Sequence, residues 1–196
     1  ATTASATLAT GAITGTDQLA TLSATSSTTG ATVTLGAIVD ADSLTSLTLD
    51  ATYGNVAIGS VGASGSAEAL AAVNITAANG ATAGLNGATI TADTTNSTTD
   101  NAMVLTTVSG AASTVESGTI TNTYGTITAN MSGTGTNSSD ALTADDVTVN
   151  ITAGGGIHDL ITATDDITIT AANTAALAFT SLDSGALASS SITATP

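Results

Sequence analysis

The chain has 196 residues and a net charge of −15, with 13 Asp, 2 Glu and no Lys or Arg. Phosphate binding needs Lys or Arg, so nucleic acid is excluded as a partner, and anionic membrane surfaces are excluded on the same ground. Cysteine is absent, which removes disulfides and thiolate metal sites, and no apolar run is long enough for a transmembrane helix, so membrane insertion is not expected.

The remaining composition points to a folded chain. Apolar residues reach 42% and the only proline is Pro196, whereas disordered chains are poor in the former and rich in the latter. Aromatic residues make up 2%, so a wide core would have to be filled with Val, Ile, Leu and Ala, and a narrow core suits the sequence better. The N-terminus shows neither the basic region nor the apolar stretch of a signal peptide. Either a targeting signal has been removed, or the chain is an internal segment.

In chain order, short segments alternate apolar residues with Thr or small polar ones: Thr32-Val33-Thr34-Leu35, Leu47-Thr48-Leu49, Val56-Ala57-Ile58, Val147-Thr148-Val149-Asn150-Ile151 and Ile167-Thr168-Ile169. A period of two predicts strands with one buried face. Gly, Asn, Asp and Ser clusters between them predict turns. The Ala-rich piece Glu68-Ala69-Leu70-Ala71-Ala72 has room for one helical turn, and residues 93–101 and 132–141 read as loop tips.

Segments also recur at long range. Thr52-Tyr53-Gly54-Asn55-Val56 resembles Thr123-Tyr124-Gly125-Thr126-Ile127, and Val73-Asn74-Ile75-Thr76-Ala77 returns unchanged as Val149-Asn150-Ile151-Thr152-Ala153. More loosely, Val108-Ser109-Gly110-Ala111 leading to Gly118-Thr119-Ile120-Thr121 parallels Ser184-Gly185-Ala186 leading to Ser191-Ile192-Thr193. The three pairs recur in the same order at nearly equal offsets. They predict one repetitive array over 1–196, divided into a partial repeat 1–35, repeats 36–107 and 108–180, and a partial repeat 181–196, with the pattern continuing beyond both ends. Short strands with small turn residues in a long repeat predict an all-β fold, a parallel β-solenoid, with tandem β-sandwich domains as the alternative.

The unbalanced acidity is the main chemical signal. Fifteen carboxylates repel one another unless neutralised, and a divalent cation is the simplest remedy. Asp40 and Asp42, Asp145 and Asp146, and Asp165 and Asp166 pair in turns beside strands, where carboxylates and turn carbonyls offer the hard oxygen ligands that Ca²⁺ prefers. A single turn Asp pair is equally at home in plain water. His158 is the only histidine and has no nucleophile system around it, so no catalytic residue is assigned and an enzyme is not expected. Asn74, Asn96, Asn130, Asn137 and Asn150 begin N-x-S/T sequons, which chance also produces in a chain this rich in Ser and Thr. Thr-x-Thr pairs such as Thr89/Thr91, Thr119/Thr121, Thr126/Thr128 and Thr168/Thr170 raise the reading of an ice-binding β-solenoid, although the uneven strand spacing argues against a long matched lattice.

The segment Gly154-Gly155-Gly156-Ile157-His158-Asp159-Leu160-Ile161-Thr162 resembles the calcium-binding nonapeptide of RTX β-rolls, with Gly154, Gly155, Asp159 and Ile161 on the pattern and Ile157 in place of a glycine. Together with the runs Leu35–Ile38, Ser43–Leu49, Gly54–Val61 and Val73–Ala77, it makes most of the chain similar to the β-strand repeats of RTX-type bacterial S-layer proteins and giant surface adhesins. That resemblance implies secretion to the bacterial cell surface, a β-solenoid body and calcium-dependent assembly, with Asp159 as a further Ca²⁺ ligand. It implies self-association into an S-layer lattice or surface filament, or service as an adhesin stalk. Any contact with cell-surface polysaccharide would lie in a region outside this chain.

Overall fold

The computed structural model describes residues 6–14, 18–39, 41–62, 67–85, 87–92, 101–172, 176–185 and 190–195. Among the described residues the strands fall in eight successive coils, with about seven turns from the first to the last. The first has β1 (Thr7–Ala9) and β2 (Thr21–Ser26), the second β3 (Thr32–Leu35) and β4 (Ser46–Ala51), and the third β5 (Asn55–Ile58) and β6 (Ala72–Ala77). The fourth has β7 (Thr82–Gly84), β8 (Thr89–Thr91) and β9 (Ala102–Ser109), and the fifth β10 (Thr114–Glu116) and β11 (Thr119–Gly133). The sixth is one long strand, β12 (Thr136–Ile151); the seventh has β13 (Gly155–Ala163) and β14 (Ile167–Ala172), and the eighth β15 (Ala176–Ser184) and β16 (Ser190–Thr195).

Every ladder is parallel, and each strand lies on the strand one coil earlier. The chain is thus an all-β parallel solenoid of about seven turns, and the parallel pairing throughout excludes the sandwich alternative. Three ladders run its length. The first face stacks β1, β3, β5, β7, β10 and the leading parts of β12, β13 and β15. The second face begins as single bridges, Ile13 to Ile38 to Val61 to Ile90, and continues through β8 and the parts of β11, β12, β13 and β15 around Ile120, Leu142, Ile161 and Leu182. The third stacks β2, β4, β6, β9, the later parts of β11 and β12, then β14 and β16.

The period-two pattern is what makes this packing possible. Along β4 and β6 the side chains alternate between half-buried and fully buried, so one set points inward and the other outward. Inward residues pile on similar neighbours. Ile38, Val61, Ile90, Ile120, Leu142 and Ile161 are all fully buried, each directly over the next coil's member. Branched aliphatic side chains fill a narrow interior without aromatics. The Ala-rich piece 68–72 forms no helix: residues 68 and 69 make a turn, and Ala72 opens β6. No helix among the described residues is long and apolar enough to cross a membrane.

Coil length changes markedly. The ladder steps from Thr82 to Thr114 in one coil but only from Thr136 to Gly155 in another. The bends between faces absorb the difference, and the strands keep their register. The expected tip at 132–141 is mostly strand, with only Thr134 and Gly135 outside β11 and β12. A loop is unnecessary there because Gly133, at φ +107°, turns the chain directly beneath Ser109, where any Cβ would strike the Ser109 carbonyl. Of the other tip, residues 93–100 lie outside the described residues.

The repeated V-N-I-T-A segments occupy equivalent places. Val73 stacks on Leu105, then Ala129, then Val149, so the step from Val73 to Val149 is three coils in register. The tyrosine segments do not coincide in this way. Tyr53 sits at a bend leading into β5 on the first face, whereas Tyr124 sits within β11 at the bend leading onto the third.

Candidate metal centre: the acidic edges of the solenoid

Asp145 and Asp146 lie in β12 where it bends from the second face to the third, and Asp165 and Asp166 lie at the same bend one coil on. Val147 pairs with Ile167, so the coil length here equals the spacing of the two Asp-Asp steps, and they stack. The backbone holds this stack: the Asp165 amide donates to the Asp145 carbonyl (2.9 Å), and the Val147 amide to the Asp166 carbonyl (2.9 Å). Side chains join in. The Asp166 amide donates to Asp146 Oδ1 at 3.0 Å, and the Thr164 hydroxyl donates to Asp145 Oδ1.

Four carboxylates on two adjacent coils face no basic side chain, since the chain has neither Lys nor Arg. Repulsion from Asp166 raises the Asp165 carboxyl above the ordinary Asp range; desolvation, Asp146 and Asp145 push it the same way. The arrangement is an open ladder. Among the described residues no three His, Cys, Asp or Glu side chains converge as a ready-made metal cage. The donors, carboxylate and backbone oxygens without nitrogen or sulfur, do fit a hard cation with a flexible shell such as Ca²⁺.

The other expected ligands fall elsewhere. Asp42 is exposed in the turn before β4, at the same edge of the solenoid but four coils from the tetrad, and Asp40 lies outside the described residues. Asp159 is exposed at a different edge, between the first and second faces. The Gly154-Gly155-Gly156 run is not a loop there: Gly154, at φ +78°, makes the bend, and β13 starts at Gly155. Ser139 pairs with His158 and Ala141 with Leu160, which puts Asp140 directly over Asp159. The Thr180 hydroxyl donates to Asp159 Oδ1 at 3.4 Å from the next coil. Sequence reasoning missed Asp140 and Thr164. The signal was available: the separations Asp140 to Asp159, Asp145 to Asp165 and Asp146 to Asp166 are nearly equal, and each matches the local coil length.

The chain matches no family model, no curated protein and no solved structure. Its chemistry therefore has to be read from its own geometry.

The sequons separate by placement. Asn74, Asn130 and Asn150 all point outward from the third face in one column, and Asn150 Nδ2 donates to Asn130 Oδ1 at 3.0 Å. Asn137 is fully buried, donating to Ser109 Oγ (3.0 Å) and the Ser132 carbonyl (3.2 Å), so its sequon is closed to modification in the folded chain. Asn96 lies outside the described residues.

Proposed function

We propose that this chain is a structural segment of an extracellular bacterial surface assembly, an S-layer lattice or a surface filament, whose acidic edges are stabilised by Ca²⁺. The observation that carries this reading is the unbroken parallel stacking from β1 and β2 to β15 and β16. Such a rod contacts only its neighbours along one axis and is extended by addition of like units. Its described surface offers repeated small polar side chains, which suits self-association over many weak contacts. The stacked pairs Asp145/Asp165, Asp146/Asp166 and Asp140/Asp159 supply hard oxygen ligands along two edges, where a divalent cation would relieve the repulsion between coils.

Service as the stalk of a large adhesin is the second reading, because the same rod makes a stiff spacer. Electron microscopy of the purified chain with Ca²⁺ and with EDTA separates the two. Ordered filaments or sheets in Ca²⁺ that disperse in EDTA support the assembly. Single rods in both conditions, with Ca²⁺ raising the melting temperature, support the stalk. No response of either kind to Ca²⁺ overturns the calcium-stabilised reading.

A further inference from the structure

The first and eighth coils leave inward residues uncovered. Leu8 is 58% exposed, Leu182 37% and Ile192 62%, whereas Val56, Ile161 and Ile169, inner members of the same three columns, are buried. The strand edges are open there as well: among the described residues β1 pairs only with β3 and β2 with β4, and β15 pairs only with β13 and β16 with β14. Exposed sheet edges are commonly blunted by Lys, Pro or an inward-pointing charge, and terminal repeats by a polar outer face. The described residues of these two coils hold no Lys, no Pro and no inward charge. Their one acidic residue, Asp183, takes an outward position beside Leu182, and Asp17 lies outside the described residues.

The two ends also match each other. In the first coil the inward columns pass through Leu8, Ile13 and Leu22, and in the eighth through Leu177, Leu182 and Ile192. The step from the first column to the second is the same in both coils, and the step from the second to the third differs by one residue. Such agreement is not general. In the fourth coil the same columns pass through Ala83, Ile90 and Leu105, and both steps are longer. We propose that the eighth coil of one copy stacks on the first coil of a second copy, carrying all three ladders across the joint. This rests on the assembly reading of the chain and names its contact. In this register Ile192 lies over Leu22 and Leu182 over Ile13, and β16 bonds along β2 as a strand added to a sheet edge. Leu8, Leu182 and Ile192 then leave water together. Because the joint uses different surfaces of the two copies, it does not close on itself and repeats into a filament. Side-by-side contact meets like charge instead: Asp50, Asp146 and Asp166 hold outward positions on the third face, Asp140 and Asp159 line another edge, and no basic residue answers them.

The chain has no cysteine, so introduced thiols are the only ones present. Across the joint Thr193 lies over Ser23, both exposed and in outward positions, at roughly the 4.8 Å spacing of paired strands and within disulfide reach. Within one copy the same residues stand about seven turns apart and cannot meet. The test is oxidation of Ser23→Cys/Thr193→Cys in Ca²⁺, read on a non-reducing gel, with a ladder of covalent dimers, trimers and longer chains expected. Ser23→Cys/Ser191→Cys moves one thiol two residues along β16, beyond disulfide reach, and should give roughly tenfold less ladder. Adding Ile192→Asp to the first pair places a charge in the joint and should cut the ladder about tenfold, while the β-sheet circular dichroism is kept because the side chain is already exposed in a single copy. Equal ladders from both cysteine pairs overturn the proposal. So does no ladder from either pair while filaments or sheets still form in Ca²⁺, which leaves the surface assembly standing on lateral contacts. No ladder and no ordered assembly overturn both.

Discussion

At the scale of single residues, the solenoid interior tolerates a few polar groups only where the backbone or a neighbour answers them. Asn122 is fully buried at the bend in β11, and its Nδ2 donates to the carbonyls of Asn101 (2.8 Å) and Thr126 (3.0 Å). It thereby bridges the point where the β11–β12 register shifts. Thr107 is different. It is inward and fully buried in a column between Ile75 and Met131, and its hydroxyl finds no partner among the described residues. A buried unpaired hydroxyl costs about 1–3 kcal/mol, and Val has nearly the same shape without it. Thr107→Val is expected to raise the unfolding free energy by about 1 kcal/mol in urea titration. A loss of stability would show that the hydroxyl has a partner after all.

At the scale of elements, the bend between the second and third faces concentrates charge. Asp165 titrates above the ordinary Asp range because Asp166 first, then desolvation, Asp146 and Asp145, disfavour its ionised form. The folded state therefore holds this proton more tightly than the unfolded chain does. Stability is greatest where the group is protonated in both states, and falls as pH rises from the unfolded pKa through the raised folded one. Without divalent cations, the melting temperature is expected to climb as the solution is acidified down through that window. Asp165→Asn should raise the neutral-pH melting temperature and flatten this dependence, whereas Ca²⁺ should do the same for the parent and less for the variant. A variant that melts below the parent at neutral pH in EDTA would refute the repulsion argument.

At the scale of the whole molecule, stability depends on where in the stack a residue sits. Ile120 and Ile192 both belong to inward columns, but Ile120 lies between coils and is fully buried while Ile192, in the eighth coil, is 62% exposed. Ile120→Ala is expected to cost about 2–5 kcal/mol by urea denaturation, the usual range for a buried aliphatic side chain. Ile192→Ala should cost a small fraction of that in the isolated chain. Comparable losses at both sites would mean that the eighth coil is covered in solution. The same nearest-neighbour logic underlies assembly, since each coil is stabilised by whatever lies against it.

Much was legible in the residues themselves. Alternation in Thr32–Leu35, Leu47–Leu49 and Val147–Ile151, with scarce aromatics and β-branched residues in abundance, determined short strands around a narrow core. The lack of Lys and Arg determined that the acidity goes uncompensated. Register was beyond reach, because coils as unequal as Thr82 to Thr114 and Thr136 to Gly155 share no single period, and the bends that absorb the difference carry no common motif. Only the stacking decided that Asp145 and Asp146 meet Asp165 and Asp166, that Asp140 joins Asp159 at another edge, and that Asn137 turns inward while Asn130 and Asn150 turn out. The physical reason is simple. Side-chain alternation is local to a strand, whereas neighbours across a parallel ladder are chosen by the length of chain between them.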